Sequence, residues 1–333
     1  MIDMKALDVV FISYDEPNAE RNFEALKSIC PRAKRVHRVK GFDAAHKAAA
    51  RLSESDLFVT IDADNTDVLP SVLNDRIDVP NLSSESVVTF SARNRLNGLI
   101  YGNGGVKIWP KQLTLEMKSH EAAEDEKSAT EFCWTLDWHT DQRIASSIDI
   151  AATPFQAFRA GVREGVKLMT PDGLTADRVY PDLPRKDAFK RHVWKGNVDR
   201  LAIWCSIGAD VKNGLFAMYG ARLSSALLAF DDWDHRLIND FDSFRRWWHD
   251  VILPRVGLGV ENGRLLWHEI KREGDRLRRR LDLPIADLDA AGSRFYKAVN
   301  APEAKTGRMQ RVDAADRMPW RSAGDDEAWI GGH

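Results

Sequence analysis

In the stretch Leu57-Phe58-Val59-Thr60-Ile61-Asp62-Ala63-Asp64-Asn65, a short apolar, β-branched run stops at two carboxylates one residue apart. A buried parallel strand reads this way, and it would deliver Asp62 and Asp64 to the carboxyl edge of its sheet. Ligands of open α/β folds bind at that edge. Two hard oxygen donors at i and i+2, on a strand-to-loop corner, suit a divalent cation that also holds a diphosphate. Asp-rich corners serve equally as turns and helix caps, so the motif alone leaves both readings open.

On the N-terminal side the chain alternates strand and helix. Asp8–Tyr14 is strand-like, and Ala19–Ile29 is an amphipathic helix with Phe23, Leu26 and Ile29 on one face. Ala33–Val39 forms a second strand and Phe42–Leu52 an alanine-rich helix, which leads into Leu57–Ile61. This alternation predicts a parallel, right-handed βαβαβ half. Tyr14, Asp15 and Glu16 then close the first strand at the same edge as Asp62 and Asp64. A ring there can stack on a base and a carboxylate can hold a ribose; a simple edge of the core is the alternative for Tyr14.

On the C-terminal side, Val87–Ser91 is a fourth strand, followed by Arg93-Asn94-Arg95-Leu96-Asn97-Gly98-Leu99-Ile100-Tyr101-Gly102-Asn103-Gly104-Gly105 and a strand Val106–Trp109. Neither GxxxxGK[ST] nor a helix-opening GxGxxG occurs, so Walker and dinucleotide chemistry are not supported. Arg93 and Arg95 could meet a diphosphate or simply be exposed loop arginines. Gly104-Gly105 suggests a wall where a ligand presses on backbone.

The order strand, helix, strand, helix, strand-DxD, then a glycine-rich NGG segment resembles a GT-A glycosyltransferase. More closely, it resembles glycosyltransferase-like proteins encoded by tailed bacteriophages. The phrases FISYDEPNAERNFEAL, RVKGFDAAHKAA, FVTIDADN, RNRLNGLIYGNGGVKIWPK and TPFQAFRAGVREGVKL carry the resemblance, which covers roughly residues 8–225. It implies an α/β fold with a GT-A-like, Rossmann-type mixed sheet flanked by helices, to which the amphipathic pattern of the last hundred residues adds an α-helical C-terminal extension. It further implies a transferase using Mn²⁺ or Mg²⁺ and a UDP- or GDP-sugar donor. Asp62 and Asp64 would lie at the metal and diphosphate, Tyr14–Glu16 near the nucleoside, and Gly104 and Gly105 near the donor sugar and acceptor.

Residues 111–130 are charged and poorly patterned, as in a solvated helix or loop. Phe132–Asp141 alternates like a strand. Such an enzyme needs a group to deprotonate the acceptor hydroxyl, and often a late metal ligand. Asp137, His139 and Asp141 are the candidates for catalysis, with His139 also the candidate metal ligand. Thr153-Pro154 starts a helix with Thr as N-cap. In it Arg159, Arg163 and Lys167 recur every fourth residue, a stripe suited to phosphate or to water. Asp199–Ala209 and Asn213–Phe230 read as two packed helices broken near Asn213-Gly214.

Beyond residue 230 lie six of the eleven tryptophans, and Arg264–Arg280 holds seven basic against three acidic residues. Arginine interleaved with aromatics, including Arg245, Arg246 and Trp247, suits phosphate contact and base stacking. A helical appendage packed on a catalytic domain is the plainer alternative. The expected division is a catalytic domain over 1–225, a helical, basic and aromatic region over 226–300, and a flexible tail over 301–333.

With 44% hydrophobic residues and a formal net charge of −2, the composition is that of an ordinary globular protein. Cys30, Cys133 and Cys205 lack CxxC spacing, which argues against a thiolate metal site and fits a reducing cytoplasm, the host's if the chain is phage-encoded. No run is long enough for a membrane segment. Phage context makes a 5-hydroxymethylpyrimidine in DNA the expected acceptor, with a surface glycan or a protein as alternatives. Asp62-Ala63-Asp64-Asn65-Thr66 also fits the DxDx[TV] of haloacid-dehalogenase-type phosphatases, although two βα units precede it here. An inactive GT-A-like binding module is the third possibility.

Overall fold

The computed structural model describes residues 1–79, 83–102, 104–118, 137–231, 233–258 and 263–300. The expectations for Asn103, the charged segment from 119, the strand start Phe132–Leu136 with Cys133, and the tail 301–333 lie outside these residues. The chain divides at Asp149/Ile150 into two compact units.

The first unit is mixed α/β. Its described strands in the main sheet follow the order β3-β2-β4-β9-β7-β10-β5, with β8 on β7. The elements are β2 (Asp8–Ser13), α1 (Ala19–Ile29), β3 (Lys34–His37), α2 (Phe42–Leu52), β4 (Leu57–Asp62), β5 (Asn65–Thr66) and α3 (Pro70–Asn74). They continue with β7 (Ser86–Asn94), β8 (Ile100–Tyr101), β9 (Val106–Pro110), α4 (Lys111–Glu116) and β10 (Asp137–Ile148). A separate two-stranded ribbon pairs β1 (Ile2–Asp3) with β6 (Arg76–Ile77). Strands β2, β3 and β4 are parallel, as the βαβαβ reading expects. Strand β9 inserts antiparallel between β4 and β7, which makes the sheet mixed.

Each face of the sheet carries its own core, because side chains alternate along a strand. Val9, Phe11, Val59, Ile61, Val88, Phe90, Val106 and Ile108 pack on one face, with Leu26 of α1. Val10, Phe58, Val87 and Trp109 pack on the other, with Ala49 and Ala50 of α2. The buried Trp109 indole donates to Thr60 Oγ1 at 2.9 Å, which satisfies the one polar atom of that ring.

The second unit is helical: α5 (Pro154–Met169), α6 (Ala176–Val179), α7 (Arg185–His192), α8 (Lys195–Ser206) and α9 (Gly214–Phe230). After these come α10 (Phe241–Trp247), a π-helical turn Trp248–Ile252, α11 (Leu253–Val256), α12 (Gly263–Leu281) and α13 (Ala290–Val299). Thr153 caps α5 by accepting from the Gln156 amide, as its sequence announces. Glycines set the packing of α5 on α9. A Cβ at Gly161 or Gly165 would collide with the backbone or Ser224 of α9, and one at Gly220 with the backbone of α5. The expected domain boundary at 225 falls inside the continuous helix α9, and α5 to α9 belong with the C-terminal helices. Helix α9 is apolar on nearly all sides and so gives no boundary signal. No described helix is long and apolar enough to cross a membrane.

Candidate functional site

Four elements of the first unit meet around the Asp62-Ala63-Asp64 corner, and its backbone is pinned from every side. The Asp62 amide donates to the Gly105 carbonyl at 3.0 Å, and the Asp149 amide to the Asp64 carbonyl at 2.8 Å. Buried Asn22, in the first turn of α1, donates to the Ala63 carbonyl at 2.9 Å. Its neighbour Asn18 leaves the helix uncapped and donates instead to the Asp149 carbonyl at 2.8 Å, while Arg21 pairs with the Asp149 carboxylate at 2.8 Å. Asn65 is engaged at both ends of its side chain: its amide nitrogen donates to Asp64 Oδ1 at 2.9 Å, and its carbonyl accepts from Ser146 Oγ at 2.6 Å.

The carboxylates themselves are less well served. Among the described residues Asp62 has one cation near it, the Lys107 ammonium at 3.9 Å, and Asp64 accepts a side-chain hydrogen bond from Asn65 alone. Burial pushes the Asp62 carboxyl above its usual range, with Lys107 opposing. Burial likewise pushes Asp64 up to about 7, helped by the charges of Asp62 and Glu16 and opposed by Asn65 and Lys107. Such a cluster is short of positive charge, and groups of this kind gather where ligands bind. Glu16 reaches this corner with its side chain turned back on the loop, accepting from the Tyr14 amide at 2.7 Å.

Lys107 is the residue that sequence reading missed. It is buried in the middle of β9, opposite Thr60 of β4 and Thr89 of β7, and donates to the Gly104 carbonyl at 2.7 Å. Its signal was present: one lysine inside the apolar run Val106-Lys107-Ile108-Trp109. Asn18, Asn22, Asn65 and Asp149 were also missed, since each is a common loop or helix-start residue whose partner is remote in sequence.

Gly104 and Gly105 do sit beside the corner, but the space their missing side chains leave is filled by protein. A Cβ at Gly105 would collide with the Asn65 amide and meet Asp62 Cβ at 3.0 Å; one at Gly104 would meet Ala92 Cβ at 2.7 Å. These glycines let β9 approach the corner rather than form the bare wall expected. Arg93 is the penultimate residue of β7, opposite Ser147 of β10. Arg95 is already engaged, pairing with the carboxylate of Asp67, and its backbone amide donates to the Ile148 carbonyl at 3.0 Å.

Asp137, His139 and Asp141 are not brought to this corner. Strand β10 runs seven residues past Asp141, so these three occupy its amino-terminal part. His139 pairs with Val88 and Asp141 with Phe90, which places both on the α1 face, whereas Asp62 and Lys107 share the α2 face. Three strand spacings separate β10 from β4, roughly 14 Å. Their carboxylates are also satisfied. Asp137 accepts from Ser86 Oγ and from His139 at 3.3 Å, and the Ser86 bond, with His139 adding, holds it below its usual range. Asp141 is gripped by the Arg143 guanidinium at 2.6 Å, which outweighs burial and keeps its carboxyl low.

The residues expected to hold an acceptor belong to the helical unit, where four of them are engaged in its packing. Arg159 lies over the rings of Phe241 and Phe244, at 5.0 and 6.0 Å, and Arg245 over Phe155 and Phe241, at 5.2 and 5.0 Å. Trp247 stacks among Phe158, Trp233 and Phe244, and Arg246 donates to Ser243 Oγ at 2.7 Å. Arg163 and Lys167 are half-buried on α5. Along α12 part of the expected basic run is paired, Arg272 and Arg276 with buried Glu273 and Arg278 with Asp275 and Asp287, while Lys271 lies over the Trp267 ring and Arg280 over that of Phe230.

No protein-family model, curated protein or solved structure matches the chain.

The donor set at the corner fits a hard divalent cation. Asp62 and Asp64 offer carboxylate oxygens on a rigid strand end, with a third negative charge at Glu16 and little protein-supplied compensation. Among the described residues no group of three or more His, Cys, Asp or Glu is arranged as a complete metal site. Two carboxylates leave most of an octahedral shell to water and substrate oxygens, the arrangement Mg²⁺ adopts on phosphate substrates.

Proposed function

We propose that the chain is a metal-dependent glycosyltransferase that takes a sugar from a nucleotide diphosphate and passes it to a hydroxyl. The observation that carries this reading is the Asp62–Asp64 corner: two raised-pKa carboxylates at the carboxyl end of a central strand, with Glu16 beside them. A cation bound there would supply electrostatic stabilisation of the departing diphosphate. The chain's own contributions are distinct. Asn65 orients Asp64, Lys107 balances Asp62, Asn22 fixes the corner that carries both carboxylates, and Asn18 fixes the Asp149 backbone beside it. Tyr14, Asp15 and Glu16, which follow the parallel neighbour β2, would meet the nucleoside.

The acceptor half of the proposal, a 5-hydroxymethylpyrimidine in DNA, rests on the phage resemblance rather than on this corner. With Asp137, His139 and Asp141 on the opposite face, Glu16 is the nearer carboxylate for activating a hydroxyl, since that of Asp149 is taken by Arg21.

The test is incubation with Mn²⁺ or Mg²⁺, a panel of UDP- and GDP-sugars, and duplex DNA containing 5-hydroxymethylcytosine or 5-hydroxymethyluracil, read by nucleoside mass spectrometry. A hexose or pentose mass gain that disappears in Asp62→Ala and Asp64→Ala supports the whole proposal. Metal-dependent donor hydrolysis without a mass gain keeps the transferase and discards the DNA acceptor. No turnover of any donor with either metal rejects it.

A further inference from the structure

We propose that the surface carried by residues Arg185–Arg200 binds single-stranded nucleic acid, with a base stacking on Trp194. Trp194, the residue before α8, is 54% exposed although it is the largest side-chain type. Its indole rests on Gly196, where a Cβ would collide with the ring. Arg200, one turn further on, places its guanidinium 5.0 Å from the ring centroid, and its Nε donates to the Gly196 carbonyl at 3.1 Å. Residues four apart lie along one ridge of a helix. The ring therefore lies along the Gly196–Arg200 ridge, in contact with both residues, and stays about half exposed. A second pair lies close by in sequence: Arg191 sits 4.9 Å from the Tyr180 ring centroid, and that ring meets the His192 imidazole edge-on at 6.4 Å.

Charge selects the occupant. Arg185–Arg200 holds six Arg and Lys against Asp187 and Asp199. Lys186 and Lys190 are drawn to Asp282, Lys195 to buried Asp199, and Arg185 to the Ala229 carbonyl. Arg191 and Arg200 make no ion pair among the described residues and lie over rings instead. An exposed ring with an unpaired arginine over it, and a second such pair at Tyr180 and Arg191, offers the stacking and cationic contacts that grip bases and phosphates of a single strand. A neutral sugar would use the ring but not the charges, and a duplex offers no free base face.

The surface needs neither a cation nor a sugar donor, so its test is independent of the acidic corner. The full chain is titrated in EDTA against a fluorescein-labelled oligothymidylate and read by anisotropy at several salt concentrations. Trp194→Ala is expected to weaken binding about tenfold or more, and Trp194→Phe to keep most of it. Arg191→Gln and Arg200→Gln are each expected to lower the slope of log affinity on log salt by about 0.7. Thermal unfolding checks that each variant folds; should Trp194→Ala fail, the Arg191→Gln/Arg200→Gln pair carries the test. Unchanged affinity in these variants would overturn the proposal. So would absence of binding at low salt, or binding of a sulfated oligosaccharide of equal charge as tightly as the oligonucleotide.

Discussion

The Lys107 ammonium lies 3.9 Å from Asp62 Oδ2 while donating to the Gly104 carbonyl at 2.7 Å. One buried cation thus ties the acidic end of β4 to the turn that enters β9. Lys107→Met would strip the Gly104 carbonyl of its donor and Asp62 of its counter-charge. The expected cost is about 1–3 kcal/mol of stability, together with a loss of metal-dependent donor turnover of at least about tenfold, the factor that 1.4 kcal/mol sets. In a denaturant double-mutant cycle, Lys107→Met with Asp62→Asn should cost less than the sum of the singles, because the neutral amide no longer needs the charge. Strict additivity would show that the two do not interact.

Asp64→Asn separates function from stability. Asparagine keeps an acceptor for the Asn65 amide but removes a charge that burial, Asp62 and Glu16 all oppose. In EDTA at pH 8 the variant should unfold at a higher temperature than the wild type, while added Mn²⁺ should no longer raise its midpoint. A lower midpoint in EDTA would mean that the carboxylate serves the fold.

Gly105→Ala places a methyl group against the Asn65 amide and Asp62 Cβ. Overpacking of this kind costs about 1–3 kcal/mol. Because Asn65 holds Asp64, donor turnover should fall more steeply than stability. A variant that is less stable yet fully active would show that Asn65 has no part in orienting Asp64.

How far the sequence exposes this corner follows from where its signals lie. The β-branched run into Asp62 and Asp64 and the alternating elements before it are local patterns, and β2, α1, β3, α2 and β4 form at the expected places. Asp137, His139 and Asp141 form an equally local cluster, yet the strand face and the register that remove them from the corner depend on pairing with Val88 and Phe90. Lys107 is the converse case, a single residue whose meaning appears only when β9 inserts beside β4. The arginine and aromatic content near residues 241–248 shows what is present but not that Phe155 and Phe158 take up the rings.

His139→Ala and Asp141→Asn should therefore leave donor turnover within about twofold of wild type, below about 0.5 kcal/mol in the barrier. A hundredfold loss of turnover in either would return the catalytic role to β10.

Acid sensitivity should come in part from Asp8. Burial opposes its ionisation, but Lys34 and the Glu54 and Ser55 amides outweigh burial and bring its carboxyl down to about 2 from 3.8. A carboxyl lowered in the folded state contributes stability above its unfolded pKa and loses it as pH falls through the folded value, here between about 4 and 2. Asp8→Asn should be less stable by about 2 kcal/mol at pH 6, with the gap closing towards pH 2 in urea titrations. A gap that does not change with pH would contradict this.

The central claim is that Asp62 and Asp64 bind a nucleoside diphosphate through a divalent cation. Isothermal titration of UDP and of GDP into the full chain, with Mn²⁺ and again with EDTA, tests it most directly. The expected result is cation-dependent binding of at least one nucleotide that is lost in both Asp62→Asn and Asp64→Asn, with both variants folded. Binding that is as tight in EDTA, or that survives in both variants, would contradict the claim.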